Sequence, residues 1–181
     1  MAVNALGREF LPATELAYFR VMNPETLIET YTAKKTFSPE IINGLRSNPS
    51  LRLGLCTYLR TDPNHAFAVA LIDKFIELRK DLANGVGMED LMFGAYLLGL
   101  HGQVEDCLLV WDAKQVDVDA YSGVDVQLVV FAGIEATFDF LESQHTDKSR
   151  EILAYLQDCR QAGDFDDLEG YFDPGNLPWW L

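Results

Sequence analysis

The sequence predicts a mostly α fold: one compact domain over residues 1–181, built from helical hairpins in the α-solenoid manner, with a short β-like hairpin or extended corner near 116–130. Three observations carry this. Four prolines follow side chains that cap helices, apolar residues recur at helical spacing over 66–114, and a Val/Asp alternation interrupts that spacing after 116.

Proline suits the first helical position, where its missing N–H would have no partner. Asn23-Pro24-Glu25, Ser38-Pro39-Glu40, Asn48-Pro49-Ser50 and Asp62-Pro63-Asn64 each set a side-chain oxygen just before Pro, marking four helix starts. Residues 66–82 follow as a helix with Ala68, Leu71, Ile72, Phe75, Ile76 and Leu82 on one wide face; Asn84-Gly85 is its expected stop. Residues 88–100 are apolar nearly all round, the pattern of a helix buried between neighbours. His101-Gly102 breaks it, and 104–114 resumes with Val104, Cys107, Leu108 and Trp111 at helical spacing, which closes a helical hairpin. Then Val116-Asp117-Val118-Asp119 and Val124-Asp125-Val126-Gln127 alternate apolar and polar, as a short β-hairpin or extended loop does. Helices return at 135–142 and 147–162, the second capped by Thr146 and stopped by Gly163, and Asp173-Pro174-Gly175-Asn176 reads as a type II turn.

Composition bounds the function. Hydrophobic residues at 49% and charged residues at 23% describe a folded chain. The N-terminus has no basic stretch followed by an apolar one, and the longest apolar run is too short for a membrane span. Cys56, Cys107 and Cys159 are odd in number and lack C-x-x-C spacing, so a reducing, cytoplasmic setting is expected. The formal charge of −14 is one-sided: residues 1–90 hold ten Lys+Arg against eleven Asp+Glu, residues 91–181 four against seventeen. Such a field repels nucleic acid and anionic lipid and attracts basic surfaces.

The stretch Leu97-Leu98-Gly99-Leu100-His101-Gly102-Gln103-Val104-Glu105-Asp106-Cys107-Leu108-Leu109, continuing from Ala113 to Ala120, resembles a degenerate ankyrin repeat. A helix ends at a Gly/His break, a second carries paired leucines, and an alanine–aspartate corner follows. The Thr-Pro-Leu-His opening of that family is absent and His101-Gly102 stands in reversed order. The resemblance covers 91–142 and implies a partner-binding scaffold without chemistry of its own.

Candidate sites fall into three classes. A metal-dependent hydrolase would be centred on His101 with Asp106, Cys107 and Asp112, but Cys107 lies on the apolar stripe and no H-E-x-x-H is present. The runs from Asp164 and from Asp117 both fail the EF-hand pattern, so neither metal nor cofactor is expected. An interaction module would use Asp117, Asp119, Asp125, Asp164, Asp166, Asp167 and Glu169 as electrostatic contacts to a basic protein partner. Bacterial immunity proteins, which neutralise basic toxins, have this physical character. Trp179 and Trp180 either fold back on the last helix or anchor that partner. In the third class, a plain helical scaffold, the charge serves solubility alone.

Overall fold

Three of the four proline starts open helices as expected. In the computed structural model, which describes residues 22–181, they begin α1 (Pro24–Lys34), α2 (Pro39–Ser47) and α3 (Pro49–Thr61). Asn23 Oδ1 accepts from Thr26 N at 2.9 Å, Ser38 Oγ from Ile41 N at 3.4 Å and Asn48 Oδ1 from Leu51 N at 3.1 Å. The fourth start shifts. Asn64, three residues before Phe67, accepts its N–H at 3.1 Å and caps α4 (His65–Arg79), leaving Pro63 outside the helix. The N-terminal segment read for a signal lies outside the described residues, as does the side chain of Leu82.

The chain divides into two units, Met1–Tyr58 and Leu59–Leu181, with the boundary inside α3. A sequence reading finds no linker because none separates them. The division sharpens the charge asymmetry: the first unit holds six Lys+Arg and five Asp+Glu, the second eight and twenty-three. The first unit buries Leu27, Ile41, Leu45 and Leu55, and Arg52 Nε donates to Leu45 O at 2.7 Å, closing the end of α2.

The second unit is built around α5 (Met88–Gly99), in which every residue from Asp90 to Leu98 is buried, as its all-round apolar pattern requires. Each fully buried Leu or Phe there stabilises by about 1.5–3 kcal/mol. α4 packs along it closely, because Gly94 has no side chain: a Cβ there would lie 3.2 Å from Ile72 Cα. α4 ends before residue 82, since Asp81 Oδ1 takes the Ala83 N–H at 3.0 Å and pulls the chain into a 3₁₀ turn, Leu82–Asn84. Gly102, at φ 63°, makes the break after α5, and a 3₁₀ turn (Val104–Asp106) leads into α6 (Cys107–Lys114).

The alternating segment does not form strands. Asp117 Oδ1 accepts from Ala120 N at 2.8 Å and so starts a short helix, α7 (Val118–Gly123). Val124 and Asp125, both extended, join it to a 3₁₀ helix, Val126–Val130. The helical hairpin α8 (Ile134–Gln144) and α9 (Asp147–Ala162) follows, with Thr146 as cap and Gly163 as left-handed stop, and then α10 (Leu168–Phe172). Asn176 N bonds Asp173 O at 3.0 Å, so 173–176 is a turn, but Gly175 lacks the positive φ of type II. Asp173 Oδ1 fixes it instead by accepting Gly175 N at 2.7 Å. Among the described residues there is no strand, and no helix is long and apolar enough to cross a membrane.

Candidate functional site

The end of the second unit gathers exposed carboxylates and one exposed indole onto a single folded-back segment. After Gly163, Phe165 turns inward and is 7% exposed, while Asp164, Asp166 and Asp167 on either side of it face solvent. Glu169 and Asp173 are exposed too. The segment is held from beneath by the alternating stretch. Val124 and Val126 are buried, so Asp125 and Gln127 point the other way. Gln127 Nε2 donates to Asp164 O at 2.8 Å. Asp125 Oδ2 accepts from Tyr171 Oη at 2.9 Å and from Trp180 Nε1 at 3.3 Å. Burial first, then the Asp125 charge, pushes the Tyr171 phenol well above its ordinary pKa, so it stays a donor.

The two tryptophans part company. Trp180 is 4% exposed, edge-on to Tyr96 at 5.6 Å, and Tyr96 Oη in turn accepts from Arg60 Nη2 at 2.6 Å. Trp179 is 76% exposed and Leu177 51%. Thus Trp180 folds back onto its own unit and Trp179 does not.

Three of the four cations of residues 91–181 are paired elsewhere, and the fourth, Lys114, is buried. Lys148 pairs with Asp112 at 2.5 Å, Arg160 with Glu135 at 2.6 Å, and Arg150 with Asp147. Lys114 is 2% exposed and donates to Tyr121 O at 2.5 Å and Val124 O at 2.7 Å, between the rings of Tyr121 and Tyr155. Burial lowers its pKa. Among the described residues, no ion pair therefore offsets Asp164, Asp166, Asp167, Glu169 or Asp173.

Four residues expected as open contacts have internal partners: Asp117, Asp119, Asp125, and Asp164, whose carboxylate accepts a side-chain hydrogen bond from Cys159. Asp117 bonds Arg79 Nε at 2.6 Å and Nη2 at 3.3 Å besides capping α7, and Asp125 is the tail's fastening point. Asp119 is more exposed, at 84%, and pairs at long range with Arg79, 3.9 Å from Nη2, at a shallow hollow of about 450 Å³ that Glu89 and Ser122 also line.

His101 has its own surroundings. Its ring meets that of His65 edge-on at 5.4 Å, and His65 Nε2 lies 2.7 Å from Asp106 Oδ2. Burial and the His65 charge lower the His101 pKa. Cys107 is buried and its thiol is pushed up to about 12, while Asp112 belongs to Lys148. Among the described residues no group of three or more His, Cys, Asp or Glu is placed to hold a metal ion.

Sequence reasoning missed the buried lysine and the His65–Asp106 pair. Lys114 had a signal, since it stands three residues after Trp111 and seven after Cys107, on the apolar stripe. The 41-residue separation of His65 and Asp106 leaves no local one. Comparison with protein-family models, curated proteins and solved structures finds no match for the chain.

Proposed function

We propose that this is a non-enzymatic interaction module whose acidic second unit engages a basic protein partner, in the manner of an acidic inhibitor or immunity-type protein. The contacts are Asp164, Asp166, Asp167 and Glu169, with Trp179 as anchor. The observation that carries the reading is the absence of ion pairs to these exposed carboxylates among the described residues, while three of the four cations of the same half pair elsewhere and the fourth, Lys114, is buried. A solubilising charge has no need to share one fastened segment with an exposed indole, whereas a binding rim with an aromatic anchor does. Asp117 and Asp125 then act as supports. α5 and α6 serve as the solenoid-like, ankyrin-like hairpin of the scaffold, a reading supported by the left-handed Gly102 break and by the buried Cys107 and Trp111. Three buried free thiols suit a reducing cytoplasm.

Affinity capture followed by calorimetry of the recovered partner tests this. A strongly basic protein is expected, its affinity falling about tenfold or more as salt rises from about 50 to about 300 mM. The same loss is expected from Asp164→Asn/Asp166→Asn/Asp167→Asn. Salt-insensitive binding unaffected by these substitutions contradicts the proposal.

A further inference from the structure

We infer that Trp179 is an arginine-reading anchor: the partner presents a guanidinium group that stacks on the exposed indole while neighbouring carboxylates of the rim take its N–H groups. This rests on the basic-partner reading above and narrows the partner to arginine-bearing segments. The observations are the exposure and the mounting of the ring. Trp179 is 76% exposed, yet its neighbour Trp180 is buried and bonded to Asp125, so the indole is held out from a fastened point and not on a loose end. The fold-back is fixed further by Asn176 Nδ2 donating to Gly170 O at 3.0 Å, which brings the tail across α10, the element that carries Glu169 and is flanked by Asp167 and Asp173.

An indole face attracts any cation, but the two basic side chains use it differently. Arginine is planar and weakly hydrated, so it lies flat on the ring and still offers in-plane donors to a carboxylate; the ammonium of lysine is compact and strongly hydrated. The second unit already contains this arrangement at its surface. The Arg160 guanidinium sits 5.6 Å from the Phe138 ring centre while its Nη2 lies 2.6 Å from Glu135 Oε1. Trp179 supplies an exposed aromatic face, the same C-terminal segment carries exposed carboxylates, and the partner supplies the arginine.

Octa-arginine and octa-lysine peptides, titrated calorimetrically into the full chain at about 50 mM salt, separate this inference from the broader reading. Octa-arginine is expected to bind about threefold to fivefold more tightly. Trp179→Ala is expected to erase that preference while leaving octa-lysine affinity unchanged within about twofold, and Trp179→Phe to restore part of it. Because the side chain is mostly in solvent, neither variant empties the core. Equal binding of the two peptides, or a preference that survives Trp179→Ala, overturns the arginine inference and leaves the basic-partner reading standing. Binding of neither peptide overturns both.

Discussion

Trp111→Ala is expected to cost about 3–5 kcal/mol, the range for truncating a fully buried large aromatic. Trp111 is 1% exposed and lies 5.1 Å from the Tyr155 ring and 6.3 Å from that of Tyr121, the same rings that flank the Lys114 ammonium. Removing it opens a cavity beside a buried cation and loosens α6 against α7 and α9. Urea unfolding followed by circular dichroism reads the loss, and the thermal midpoint should fall by about 10 °C or more. Trp111→Phe is the informative companion. It keeps an aromatic ring and deletes an indole N–H that is buried with no hydrogen-bond partner among the described residues, so its cost should be well below that of alanine.

Asp117→Ala is the next largest, expected at about 2–3 kcal/mol from the lost cap and the broken ion pair, discounted because the carboxylate is partly in water. Arg79 has a side chain only 10% exposed, so it is left with a largely buried charge, the hydrogen bond to Val86 O at 2.7 Å and the long contact with Asp119 at 3.9 Å. This term depends on pH in a defined direction. The Arg79 hydrogen bonds hold the Asp117 carboxyl below its ordinary range, so the unfolded chain takes up its proton first as pH falls. The stability it confers is fully present above an unfolded pKa of about 4 and disappears as pH drops through the folded value. The gap between wild type and Asp117→Ala should therefore be constant from about pH 5 to 7 and close below about pH 4. A gap that persists in acid would show that the cost comes from packing.

Local signals in the sequence were strong where one residue decides an outcome. Asn23, Ser38 and Asn48 before proline, Thr146, Gly102 and Gly163 mark real helix ends because caps and left-handed stops act within four residues. Alternation was misleading because period two needs a pairing strand to become a sheet. Over 124–127 it sorts buried valines from the Asp125 and Gln127 side chains that fasten the tail, and over 116–119 the Asp117 cap outcompetes extension. The acidic excess was legible as a count but not as a surface. Which carboxylates stay open depends on partners 25 to 38 residues away, as with Arg160 and Glu135, Lys148 and Asp112, or Arg79 and Asp117. Likewise nothing local separates Trp179 from Trp180; distant residues do so, among them Tyr96 and Asp125, the latter 55 residues before Trp180.

A matched neutralisation tests the acidic rim most directly. Asp164→Asn/Asp166→Asn/Asp167→Asn and Asp112→Asn/Glu135→Gln/Asp147→Asn each remove the same number of negative charges, the first set from the open rim, the second from carboxylates already paired with Lys148, Arg160 and Arg150. Octa-lysine binding at about 50 mM salt should weaken about tenfold with the first set and by less than about twofold with the second. Equal weakening by both sets would mean that net charge alone attracts the peptide and that the rim is not a binding face.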